Sequence, residues 1–127
     1  MQSTGYDMFR DHAHESRLGR TGESRVARKF RALGFDVAVA PKSRGVFDLC
    51  ATRGDCTVLV QCKNYSSRQN ANRRPLVLHK VLMSEPAPEG AIRLWWSRCD
   101  RTGEEFVWRV TPTSFEPWSL DTLASNG

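Results

Sequence analysis

The apolar residues Val26, Ala27, Phe30 and Leu33 fall three or four positions apart, with Arg25, Arg28, Lys29 and Arg31 between them. That spacing lines one face of a helix and predicts a helix from Gly22 to Leu33, stopped by Gly34. The short run DVAVA, residues 36–40, is ended by Pro41 and reads as a strand feeding the basic loop PKSRG. The stretch FDLCATRGDCTVLVQCKNY, residues 47–65, reads as two strands around a turn at Gly54 and Asp55. After it, NYSSRQNANRRP has no apolar pattern and is expected to be an exposed loop. Following Pro75, LVLHKVLM suits a short helix, and the segment from Ser84 to Gly90 a connector. AIRLWWSRC, the polar turn DRTGE and EFVWRV then predict a second hairpin. Residues 1–21 lack a sustained apolar period and read as an arm with room for a short helical piece, and residues from Thr111 onward as an irregular tail.

Counting outward from the first turn, Arg53 opposes Cys56, which sets Asp48 opposite Gln61 at about 5 Å between Cβ atoms. Side chains alternate along a strand, so Lys63 shares their side while Phe47, Leu49, Val58 and Val60 point to a packed face. A hairpin with one solvated face shows the same alternation, with Asp48 and Lys63 as a weak cross-strand pair. Glu23 bears on the choice, because its neighbours three, four and seven positions on are Val26, Ala27 and Phe30. It therefore lies on the apolar stripe, where a carboxylate costs free energy unless a cation receives it. A first-turn acid near the helix N-terminus is the competing, purely structural role.

The chain has 127 residues, 39% of them hydrophobic and 26% charged, which suits one compact domain. The apolar runs are too short to span a bilayer, and Met1 to Arg20 carries no signal-peptide pattern. A cytoplasmic setting is expected, with nucleoid association or a viral origin left open. The net charge of +5 favours polyanionic partners. Cys50, Cys56, Cys62 and Cys99 form no C-x-x-C pair, so reduced thiols are expected rather than zinc ligands or disulfides. His12 and His14 have no third ligand at a metal-site spacing and read as part of the polar arm. Trp95, Trp96 and Trp108 are expected to fill the core or a dimer face.

From Gly19 to about Tyr65 the chain resembles the archaeal-type Holliday junction resolvases of the PD-(D/E)XK nuclease superfamily. The resemblance is carried by GRTGES at the helix start, ALGF at its end, a strand, the SRG loop, then FDL and QCK. It implies a single-domain α/β, restriction-endonuclease-like fold, a central mixed β-sheet flanked by helices. The implied division is a basic arm at 1–21, a nuclease domain at 22–110 and a tail at 111–127. The family's site positions map onto Glu23, Asp48, Gln61 and Lys63. Most members have a carboxylate where this chain has Gln61, while the Q-x-K order resembles Mrr-type restriction endonucleases. A neutral amide oxygen there predicts weaker binding of a divalent cation.

The implied cofactor is Mg²⁺, or Mn²⁺, held by Asp48, the Gln61 side-chain oxygen, the Cys62 backbone carbonyl and Glu23. Arg20, Lys42, Ser43, Arg44, Arg68, Arg73 and Arg74 are the candidate contacts to a DNA backbone. The expected activity is metal-dependent cleavage of four-way or branched DNA by a homodimer. An Mrr-like endonuclease on duplex DNA, or a catalytically silent DNA-binding module of the same fold, are the alternatives.

Overall fold

The computed structural model describes residues 13–40 and 45–124, and the side chains of residues 22–40 and 45–123. Helix α1 (Ala13–Ala32) is followed by strands β1 (Asp36–Val39), β2 (Leu49–Arg53) and β3 (Cys56–Tyr65). Helix α2 (Arg68–Ala71) and a 3₁₀ turn (Leu76–Leu78) running into α3 (His79–Ser84) come next. Strands β4 (Ile92–Cys99), β5 (Glu105–Val110) and β6 (Phe115–Pro117) and helix α4 (Asp121–Ala124) complete the chain. The six strands form one mixed sheet in the order β1-β2-β3-β4-β5-β6. Only β3 and β4 run parallel, and every other neighbouring pair is antiparallel. A parallel pair cannot be closed by a tight turn, so the chain between Tyr65 and Ile92 crosses over the sheet, carrying α2 and α3 with it.

Two apolar layers result, one on each face. Against α1 lie Leu49, Ala51, Val58, Val60, Leu94 and Trp96, packed with Val26, Ala27, Phe30, Phe35 and Leu123. Against α3 lie Phe47, Trp95, Val110 and Phe115, packed with Leu82 and bordered by Leu59, Leu78 and Trp108. Phe30, completely buried, meets Phe35 and Trp96 edge-on at 5.5 and 6.1 Å between centroids. Neither face of the first hairpin is bare, which removes the one-sided reading of its alternation.

Helix α1 ends at the glycine the sequence marks. Gly34 has φ +88°, and the Gly34 and Phe35 amides bond back to Arg31 and Phe30 at 3.0 and 3.1 Å. Its start is earlier than the spacing predicts, since the helix already runs at Ala13 within the segment read as an arm. The polar segment after Tyr65 is not a bare loop. The Ser67 hydroxyl accepts the Asn70 amide at 3.1 Å and caps α2, and Ala71 is fully buried beneath the Ser97 hydroxyl, which donates to its carbonyl. The segment after Thr111 is more ordered than an irregular tail, with Phe115 pairing to Val110 and Leu123 entering the α1 layer.

Arg53 joins three of these pieces. Its guanidinium donates to the Leu33 carbonyl at 2.6 Å and the Leu123 carbonyl at 3.4 Å and lies 4.6 Å above the Phe35 ring. No described helix is long and apolar enough to cross a membrane.

Candidate functional site

The hairpin register holds as far as Leu49, which opposes Val60, with Gly54 at φ +58° in the turn. At Asp48 it slips by one residue. The Asp48 amide donates to the Val60 carbonyl at 2.8 Å, although Val60 is already the partner of Leu49. Two residues of one strand thus oppose one of the other, which is a β-bulge. The core layers report the same slip: Leu49 packs towards α1 while Phe47, two residues earlier, packs towards α3. In an unbroken strand both would share a face.

The bulge corrects the expected pairing of Asp48 with Gln61. The Asp48 carboxylate instead accepts the Cys62 amide at 2.9 Å through Oδ2. A strand's amide groups lie in the plane of its sheet, so an acceptor bonded to one lies there too. Asp48 therefore occupies the place where the next β2 carbonyl would have stood, at the gap where the two strands part. The Cys62 carbonyl, on the same side of the strand as its amide, faces the same gap.

The remaining site residues fall on opposite sides of that carboxylate. Val58, Val60 and Cys62 belong to the α1 layer and Leu59 borders the α3 layer, so Gln61 and Lys63 project on the α3 face. Glu23 is on the α1 face, 7% exposed in the helix above Cys62 and Asn64. Gly22 lets α1 settle there, since a Cβ at that position would stand 3.2 Å from Asn64 Nδ2. The Cys62 thiol senses both acids. Burial pushes its pKa far up, and the carboxylates of Asp48, Glu23 and Glu105 push it further, so the thiol stays protonated.

On the α3 face, Gln61 stands beside Trp95, and Trp95 beside Trp108. Gln61 Oε1 is buried without a hydrogen-bond partner, as are the indole nitrogens of Trp95 and Trp108. An orphaned buried carbonyl oxygen is costly, and a hard cation or a water can satisfy it. Lys63, two residues on, is exposed. With Asp48 and the Cys62 carbonyl the donors are all oxygen, the set that suits Mg²⁺ or Mn²⁺. Among the described residues no three His, Cys, Asp or Glu side chains gather closely enough to hold a metal, so any cation here relies on neutral oxygens as well.

Of the basic residues, Arg68 is bound to Glu104 at 2.7 Å and lies 5.4 Å over the Phe106 ring. Arg74 lies 5.5 Å over the Trp108 ring, and Arg73 is exposed. Both follow α2, and the stacking on Trp108 sets Arg74 on the face that carries Gln61 and Lys63. Lys42, Ser43 and Arg44, with the Arg20 side chain, lie outside the described residues. Sequence reasoning missed the indoles around Gln61 and the bulge itself. The first had a signal, since a tryptophan pair in the hairpin next to a Q-x-K strand has to pack somewhere. Comparison with protein-family models and with curated proteins finds no match to this chain.

Proposed function

We propose that this chain is a metal-dependent DNA endonuclease of the PD-(D/E)XK fold, related in design to the Holliday junction resolvases and working as a homodimer on branched DNA. The observation that carries the reading is the Asp48 carboxylate, drawn into the sheet plane at a bulge by the Cys62 amide. It stands next to a strand that places a buried, unpartnered Gln61 oxygen and then Lys63. The order of helix acid, aspartate, hairpin and Q-x-K supports it, and so does a mixed sheet flanked by helices.

In this reading Asp48, Gln61 Oε1 and the Cys62 carbonyl would hold a Mg²⁺ ion, with Glu23 adding negative charge from the α1 side. The bound ion supplies Lewis-acid polarisation of the scissile phosphate. The Cys62 amide fixes the Asp48 carboxylate, so its orientation costs nothing when substrate arrives. The Lys63 ammonium would offset the negative charge that builds on the phosphoryl oxygens as water bonds to phosphorus and the ester bond to the leaving oxygen breaks. Arg73 and Arg74 neutralise neighbouring phosphates without reading bases.

The test is cleavage of synthetic four-way junctions, linear duplex and single strands, each with Mg²⁺, Mn²⁺ or EDTA. Paired metal-dependent nicks near the branch support the reading, and cutting linear duplex equally well points to the Mrr-like alternative. Among the described residues carboxylates do not cluster, which favours one further reading, a DNA-binding module that does not cut. Junction binding without cleavage under either metal would establish it. As a readout independent of turnover, Gln61→Glu should tighten Mn²⁺ binding measured by calorimetry, because it restores a charged oxygen donor.

A further inference from the structure

The 3₁₀ turn ahead of α3 presents Leu76 at 67% and Val77 at 91% exposure, with Val81 at 47% one turn further on. These side chains are held outward by anchored backbone. The Leu76 and Leu78 amides bond to Arg74 and Pro75, Leu78 packs into the α3 layer, and the His79 ring bonds the Thr111 carbonyl at 2.7 Å. Arg74 is stacked on Trp108 immediately before the turn. From Lys63 to Ser84 the chain has no acidic residue, while Lys63, Arg68, Arg73, Arg74 and Lys80 are basic.

We infer that Leu76 and Val77 form an apolar wedge that enters the base stack of DNA at its branch point. This rests on the proposed nuclease reading and adds how the branch is recognised. The charge argues for this occupant. A second copy bound through the same patch would set Arg73, Arg74 and Lys80 against their own counterparts across a two-fold axis, which like charges oppose. A polyanion pairs with them instead, and DNA offers apolar base faces between its phosphates. Aliphatic wedges inserted between base steps unstack and kink a duplex, and a junction, already open at its centre, has less stacking to lose. The turn sits on the sheet face that carries Gln61 and Lys63, the face a DNA bound at the site would cover.

The experiment uses the full chain in EDTA with a four-way junction carrying 2-aminopurine at the branch, and the same probe in linear duplex. Wild type should raise the fluorescence severalfold on the junction and far less on the duplex. The variant Leu76→Ser with Val77→Ser should bind the junction within a few fold of wild type yet leave the probe dark, while Val77→Phe should keep the rise. Both changes are at exposed positions, and circular dichroism should confirm the fold. An unchanged rise with the double-serine variant overturns the inference. So does a shift of that variant from dimer to monomer in sedimentation, or loss of binding to phosphatidylserine vesicles with the junction signal intact. Unstacking without metal-dependent cleavage leaves the wedge standing and removes the nuclease reading, whereas a wild-type chain that binds no DNA removes both.

Discussion

Replacing Asp48 separates its two tasks, orienting and charging the site, because alanine and asparagine remove different parts. Asp48→Ala deletes the acceptor of the Cys62 amide, a 2.9 Å bond to a charged oxygen. Losing such a bond costs about 1.5–3 kcal/mol. Asp48→Asn keeps an oxygen for the amide but as a neutral acceptor, and should cost about 1 kcal/mol or less. With a urea slope of about 2 kcal/mol per molar, the alanine midpoint should fall by about 1 M and the asparagine midpoint by less than half of that. On the nuclease proposal, both should abolish metal-dependent junction cleavage while leaving junction binding nearly intact. Equilibrium urea unfolding followed by tryptophan emission, together with the cleavage gel, reads all of it. An alanine variant unfolding at the wild-type midpoint would remove the bulge contact, and an asparagine variant cutting at the wild-type rate would remove Asp48 from the chemistry.

Three further outcomes follow from the same geometry. The Cys62 thiol, ordinarily near 9.0, is held protonated by burial and by three carboxylates, so the folded chain keeps a proton that the unfolded chain releases. Stability should be unaffected by this group below pH 9 and should fall above it, by at most about 1.4 kcal/mol per pH unit, with Cys62→Ala showing a shallower decline in urea titrations between pH 8 and 10. Arg53→Ala removes the bond to the Leu33 carbonyl and the stacking on Phe35, and thermal unfolding should show a loss of about 1–3 kcal/mol. Phe30→Ala, at the centre of the α1 layer, should cost about 3–5 kcal/mol in urea and lower junction cleavage through reduced folded population alone.

The sequence made the first hairpin's register legible from the turn out to Leu49, because a two-residue turn with glycine leaves one pairing. It also marked the end of α1 and the crossover helix after Pro75. The missed start of α1 has a physical reason, since residues 13–21 extend the helix without a regular apolar face, and helical backbone can continue beyond the stripe that docks. Helix α2 escaped because four residues carry no periodicity, although Ser67 was a cap in plain view. Glu23 on the buried side was readable from spacing alone. That Glu23 lies across the sheet from Gln61 and Lys63, with the Asp48 carboxylate in the plane between them, was not, because alternation counts residues and a bulge adds one without leaving a mark in the pattern.

That extra residue makes the lead-in to β2 a matter of parity. Removing Asp48 itself would let the ladder zip onward in step, with Phe47 and Leu49 still on opposite faces, whereas removing Val46 or Phe47 would keep the acid beside Leu49 and take an apolar side chain from the α3 layer. The acid thus stands at the one residue by which the chain changes layers as it enters β2.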